Sequence, residues 1–368
     1  MSVKYLLYVE DRVDQQVTFR DAVADWNAAH AEQGRAFEYE IRDDYPSGLE
    51  ALSRYRFDGA LVDLRLPSLE LGEEEAPIGS KLAEKVLRGN GIPVAIITAN
   101  DAELEPEFQP SASMKVFHKG DADIYDGVIA WFADKWTMME VLADAKAHIR
   151  SISAEVFADR LWHRWADYVG AAGASVADLT PIVTRQYVWH LGEVLGLGGE
   201  AGDLWHPFEN WICPPLQPNR AHTGDVFEID GVLWVIMSPP CDMATDGNID
   251  DVLLVRCDRD ELIEWEDRLA KLRAAANPDQ VKKHSEWFRK LVNQNRPGQH
   301  FLPPLPDDPR PLMVQFSSIT TRPFAELQGI LGQRKASISA PFLANLTQRF
   351  GAYISRVGQP NIDVLHFS

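Results

Sequence analysis

Glu10 and Asp11 follow an apolar run at residues 5–9, Asp63 ends a second at 59–63, Thr98 a third at 94–98, and Lys119 closes a fourth at 116–119. Each polar group falls at the carboxyl end of a segment that reads as a buried strand, where open α/β sheets place their ligands. Three carboxylates gathered there repel one another unless a cation sits among them. A hard divalent ion, Mg2+ above all, suits an oxygen-only set that also handles phosphate. A carboxylate is a weak nucleophile, so accepting a phosphoryl group requires the metal and the lysine to neutralise charge on the transferring oxygens. Taken singly, Asp63 reads as a helix cap, Glu10 and Asp11 as a solvated loop, Thr98 as a strand end and Lys119 as a surface charge. Their joint occurrence at four strand ends points to phosphoryl acceptance at a metal site.

The elements that must position these groups alternate regularly. Strands are predicted at 3–9, 37–43, 58–63, 93–98 and 115–118, and helices at 13–30, 46–55, 78–89 and 122–135. Such alternation specifies an α/β domain, a doubly wound parallel five-stranded sheet covered on both faces. Pro93 opens its strand, a tolerated position, and Gly79 beside Pro77 marks a helix start.

The five pieces together resemble the receiver domain of two-component response regulators, the CheY-like family, over residues 1–136. The resemblance implies that Asp63 is the phosphoacceptor, that Asp11 ligates Mg2+ directly, and that Glu10 acts through the metal or a bound water. The backbone carbonyl of Arg65 would complete the protein's share of the metal ligands with Asp63. Thr98 would be the switch hydroxyl that turns to a phosphoryl oxygen, and Lys119 would pair with the phosphoaspartate. The implied partner is a sensor histidine kinase or a phosphotransfer protein, with a second copy of the chain as a further possibility. No enzymatic activity is expected beyond phosphoryl acceptance and autodephosphorylation.

The chain also departs from that pattern. Residues 68–77, with Glu70 and the acidic run 73–75, lengthen the loop after the Asp63 strand. Gly120 stands where a proline usually follows the lysine, so no cis peptide is expected there. Val116 occupies the position where a switch Tyr or Phe is common, with Phe117 after it, and 101–113 is rich in acids and prolines and reads poorly as helix. These departures touch the output face and leave the phosphorylation chemistry intact.

A length of 368 residues suggests two or three domains, and 45% hydrophobic residues suffice for real cores. No run approaches a membrane span and no signal-type segment opens the chain, so a cytoplasmic location is expected. Cys213, Cys241 and Cys257 are too scattered for a disulfide framework or a paired zinc motif. Of the net charge of −19, residues 1–140 contribute 14 Lys and Arg against 27 Asp and Glu. That half repels nucleic acid. Any such binding would come from 268–296, with eight basic residues against two acids, or from 334–356, with four against none.

Past residue 136 the sequence predicts a helical connector at 137–200, with helices at 137–168 and 181–197, and an α+β domain at 201–368. His148 and His163 read as ordinary helix histidines. A hairpin turns at Asp230-Gly231 between 224–229 and 232–237, a strand follows at 252–256, and a helical region at 259–295 breaks near Asn277-Pro278. Residues 296–311 read as a proline-dense loop, 312–316 as a strand, 341–354 as a helix and 362–367 as a final strand. No helix-turn-helix and no phosphate-binding loop of the G-x-x-x-x-G-K-[ST] type occurs. The opening Gly224-Asp225-Val226 resembles small SH3-like barrels of the MazF and PemK ribonuclease toxins, in three residues that carry no activity with them. Two alternatives to a plain response regulator remain: a nucleic-acid-binding regulator using 268–296, and a phosphorylation-gated enzyme. The latter would use Cys241 as nucleophile, Asp242 as its orienting carboxylate and His206 or His222 as base; the bland alternative is a small hydrophobe and a turn cap.

Overall fold

The computed structural model describes residues 2–68, 73–76, 78–100, 111–172, 175–197, 204–245, 247, 249–259, 262 and 264–356. The chain divides into two compact units, Met1–Gly199 and Glu200–Ser368. Among the described residues, no helix is long and apolar enough to cross a membrane.

The first unit opens with β1 (Ser2–Val9), α1 (Val13–His30), β2 (Arg35–Arg42), α2 (Tyr45–Arg54) and β3 (Gly59–Asp63). A small antiparallel hairpin, β4 (Leu66–Ser68) and β5 (Glu73–Ala76), occupies part of the lengthened acidic loop. Then come α3 (Gly79–Glu84), continuing as a π-turn over Lys85–Asn90, β6 (Val94–Thr98), β7 (Met114–His118) and α4 (Ile124–Asp134). The predicted elements up to 136 thus stand within a few residues of their expected bounds; the stretch 101–110 lies outside the described residues. The sheet order is β2-β1-β3-β6-β7, every pair parallel. Alternation along β1 puts Leu7 and Val9 in one core with Leu82 and Val86, and Leu6 and Tyr8 in the other with Phe19 and Phe132. Both faces are therefore dry, which is why β3 and β6 read as unbroken apolar runs.

The chain continues helically through α5 (Trp136–Val156), α6 (Trp165–Ala172) and α7 (Val176–Leu197). Trp136 and Met139 anchor the start of α5 in the core beneath the sheet, and Val156, Leu161, Tyr168 and Leu179 form a separate small core. The expected start of α7 at Pro181 is corrected: the helix begins five residues earlier with Pro181 inside it. Proline removes one donor from the early turns, and Thr180 Oγ1 donates to the carbonyl of Val176 at 2.7 Å beside that gap.

The second unit is α+β, as its alternating texture predicts. Its sheet, all antiparallel, runs β12-β13-β11-β10-β9-β14-β8. The strands are β8 (Trp211–Ile212), β9 (Asp225–Ile229), β10 (Val232–Ile236), β11 (Asp251–Asp258), β12 (Gln299–Leu302), β13 (Leu312–Pro323) and β14 (Arg334–Ile338). The helices are α8 (Pro240–Ala244), α9 (Trp265–Arg273), α10 (Pro278–Val292), α11 (Phe324–Gly329) and α12 (Ala340–Ile354). Asp230 and Gly231 both have positive φ, 52° and 75°, the backbone a tight primed hairpin turn requires. The loop expected at 296–311 contains the edge strand β12, a proline-free run between prolines. The final strand expected at 362–367 lies outside the described residues.

His300 on β12 is 3% exposed. Burial, with Arg349 adding to it, pushes its pKa down to about 3. An unfolded chain takes this proton near pH 6.5 and the native unit does not, so stability present above that pH is lost as pH falls toward 3. The expected slope from this residue is about 1.4 kcal/mol per pH unit. Hydrogen exchange of β12 and β13 at pH 7 and pH 5 checks it: His300→Gln should flatten the dependence, and an unchanged slope would remove His300 as its source.

Candidate functional site

The strand order reverses direction between β1 and β3, and the crevice outside their carboxyl ends is where such a sheet binds ligands. β1 delivers Glu10 into it, with the Glu10 amide still donating to Arg42 O at 3.0 Å. Gln16 Nε2 fixes the turn into α1 by donating to Glu10 O at 2.7 Å and Asp43 Oδ1 at 2.8 Å. Asp63 is the last residue of β3, and the ladder continues past it through Leu64 N to Ile97 O at 2.9 Å. Lys119, one residue beyond β7, is tied back by its amide to Thr98 O at 2.8 Å.

These strand ends bring the side chains together. Lys119 Nζ donates to Asp63 Oδ2 at 2.7 Å and to Glu10 Oε2 at 3.1 Å. Glu10 is fully buried and Asp63 3% exposed. One oxygen each of Glu10, Asp11 and Asp63 lies within 4.8 Å of the others. Asp11, Asp63, Arg65, Thr98 and Lys119 line one cavity of about 160 Å3. The Arg65 amide faces Asp63 Oδ1 at 3.4 Å. Thr98 sits in the same cleft, but its hydroxyl donates to Asn100 O and accepts from Asn100 N, both at 3.0 Å, so it faces its own loop. Phe117 is buried against Trp131, with Lys115 Nζ 4.7 Å above its ring.

The charges do not balance. Burial, then the neighbouring Asp63 charge, pushes Glu10 up to about 7 against the pull of Lys119. Burial also raises Asp63, with Lys119 again opposing. For Lys119, burial works to lower the pKa, but its bonds to Asp63 and Glu10 outweigh that and raise it. One ammonium among three carboxylates stays firmly charged while the carboxylates remain short of positive charge. An all-oxygen donor set with surplus negative charge fits a hard divalent cation.

Both Glu10 oxygens are already engaged, Oε1 by the Arg12 amide at 3.1 Å and Oε2 by Lys119. Asp11 is half-buried and has no hydrogen bond among the described residues. Asp11→Ala should therefore weaken Mg2+ binding more than Glu10→Ala, by about tenfold or more, since Asp11 is the carboxylate free to ligate a cation directly. A metal titration of the two variants checks the ranking, and equal affinities would reverse it.

Several contributors were not evident from the sequence. The Tyr8 and Tyr125 hydroxyls lie 2.6 Å apart; Tyr8 also reaches Glu10 Oε2 at 3.4 Å, and Tyr125 donates to Gln15 Oε1 at 2.9 Å. The pair buttresses Glu10 from beneath, across 117 positions of sequence. Gly79 is the second contributor. A Cβ built there would lie 2.0 Å from Asp63 O and 2.8 Å from Leu64 Cα. The first turn of α3 rests directly on the end of β3, which only glycine permits.

The candidates of the second half fare differently. Cys241 is exposed on the five-residue α8, its Sγ 3.6 Å from Asp242 Oδ1. Neither proposed base turns to it: His222 Nδ1 faces Thr223 O at 2.9 Å, and His206 Nδ1 accepts from the Phe208 amide at 3.2 Å. The basic run 334–356 is largely engaged internally. Arg334 is buried against Asp225 at 3.0 Å on β14, Lys335 pairs with Glu228 at 2.7 Å, and Arg349 donates to the carbonyls of Arg296 and Gln299. No strand is expected at 334–338 from the sequence, and β14 carries Arg334 and Lys335 there. In the run 268–296, Arg268, Lys271 and Lys290 pair with acids one helical turn away, as solvated helix faces do.

No family model and no curated relative matches this chain. Similar solved structures include the receiver domain of sensor histidine kinase PA1611 from Pseudomonas aeruginosa PAO1, described with magnesium coordinated in its active-site cleft. It is 19% identical, covering 37% of this chain and 98% of that one, with a TM-score of 0.27. The signal receiver domain of a putative LuxO repressor protein from Vibrio parahaemolyticus is 14% identical, covering 39% and 98%, with a TM-score of 0.30. Full-length FixJ from B. japonicum is 18% identical, covering 52% and 88%, with a TM-score of 0.29. By the order and parallel sense of its five strands, the N-terminal part of this chain has the fold of a CheY-like receiver domain.

Proposed function

We propose that this protein is a response regulator of a two-component phosphorelay, accepting a phosphoryl group on Asp63 from a sensor histidine kinase or phosphotransfer protein. The observation that carries this reading is the 2.7 Å contact of Lys119 with Asp63 inside a three-carboxylate cluster at the strand ends. An Asp63 carboxylate oxygen attacks the donor phosphorus, a P–O bond forms, and the bond to the donor breaks, with the electron pair leaving on the donor atom. Lys119 offsets charge developing on the phosphoryl oxygens. Glu10, Asp11, Asp63 and the Arg65 carbonyl are the residues that would hold Mg2+, which supplies further charge neutralisation when bound. Thr98 would exchange its bonds to Asn100 for one to a phosphoryl oxygen, which would move the loop after β6. The C-terminal α+β unit is the output. Its engaged basic residues and the undirected Cys241 favour neither nucleic-acid binding nor cysteine catalysis.

Acetyl phosphate with Mg2+ tests the proposal without a cognate kinase. Wild-type chain should become labelled and Asp63→Asn should not, while the variant keeps its fold. Persistent stoichiometric labelling of the variant would remove Asp63 from the role.

A further inference from the structure

At the opposite end of the sheet, the loop after α2 and the outer face of α5 enclose a cleft of about 590 Å3. That volume is in the range of small-molecule sites, roughly 300–1,000 Å3. Its floor is apolar, with Phe57 and Met139 buried in it. Its rim is cationic, in a half of the chain that is otherwise strongly acidic: Arg54, Arg56, Lys146 and Arg150 line it against one carboxylate, Asp58.

Two of these cations, Arg56 and Arg150, are not neutralised by an ion pair among the described residues; both are exposed, whereas Arg54 pairs with Glu50 at 2.6 Å. Lys146 Nζ donates to the carbonyls of Asn90 at 2.6 Å and Gly91 at 2.9 Å, which engages two of its three donors. Lys146 and Arg150 are one turn apart on α5, where like charges are unfavourable. Burial, and after it Arg150, lower the Lys146 pKa, with Asp58 opposing. An anion in the cleft would relieve that repulsion and take up the remaining donor. Tyr55, between Arg54 and Arg56 in sequence, lines the same cleft; it is 45% exposed and edge-on to Phe57, a ring available for stacking.

We propose that this cleft binds a nucleotide-sized organic phosphate, with Arg56, Lys146 and Arg150 on the phosphates and Tyr55 against the ring system. Such a ligand would tie α5 to the base of the sheet, giving the helix that leaves the receiver fold a second input independent of Asp63. The proposal does not rest on the phosphorelay reading.

The test is calorimetric titration of the full-length chain with ATP, and separately with inorganic phosphate, in EDTA so that the acidic site holds no metal. ATP should bind saturably and more weakly at high salt, with inorganic phosphate at least about tenfold weaker because it lacks the stacking ring. Arg56→Ala with Arg150→Ala should weaken ATP at least about tenfold, while Arg20→Ala on α1 leaves it unchanged. Tyr55→Ala should weaken ATP and leave phosphate unaffected. Circular dichroism confirms that each variant is folded. Non-saturable ATP binding, equal affinity in the double variant, or phosphate binding as tightly as ATP would each overturn the proposal.

Discussion

Gly79→Ala should destabilise the N-terminal unit by about 3 kcal/mol, at the upper end of overpacking costs, and slow phosphorylation of Asp63 by more than about tenfold. The added Cβ meets backbone rather than a flexible side chain, 2.0 Å from the carbonyl oxygen of Asp63, the proposed phosphoacceptor. Either α3 moves off the end of β3, breaking the 2.9 Å bond from Gly79 N to Leu64 O, or Asp63 moves with its carbonyl. Misplacement of a reacting group by about 1 Å can cost on the order of a hundredfold in rate. Gly120→Ala is the matched control, since nothing lies within 4 Å of a Cβ there. Urea unfolding and acetyl phosphate labelling of both variants check the expectation. Wild-type behaviour of Gly79→Ala would mean that the helix start has room that the geometry denies.

The second large effect belongs to Lys119. Lys119→Ala leaves Asp63 and Glu10 buried without a counter-charge, and breaking such a pair costs about 3 kcal/mol. That figure applies in EDTA. Mg2+ bound as proposed would place positive charge among the same oxygens, so it should stabilise the variant more than the wild type, while phosphorylation should remain impaired because the Lys119 charge beside Asp63 is gone. Unfolding in EDTA and in Mg2+ gives the four stabilities needed. An equal increment from Mg2+ in both proteins would mean that the ammonium and the metal do not share ligands.

The parts of the fold legible in sequence are those that local physics specifies. β1, β3 and β6 are covered on both faces and had to be nearly continuous apolar runs, so the polar residue ending each was conspicuous. The Asp230-Gly231 turn was legible because few residues tolerate its backbone. What sequence could not supply was long-range pairing. Nothing local joins Tyr8 to Tyr125, or Arg334 to Asp225 at a separation of 109, so β14 is not expected from the sequence. Gly79 read as a helix start, and only the structure gives the distance that makes it part of the site. For Thr98 the position was legible, but the partner of its hydroxyl, Asn100, depends on a loop conformation that residue types do not dictate.

The central claim is that Asp63 is a nucleophile held ready by Lys119 and a metal-binding carboxylate cluster. Its most direct measurement is mass spectrometric mapping of the acyl phosphate after treatment with acetyl phosphate, in Mg2+ and in EDTA. A single phosphoryl group on the peptide containing Asp63, formed in Mg2+ and absent in EDTA, is the predicted result. A stable phosphoryl group on any other residue, or equal labelling in EDTA, would contradict it.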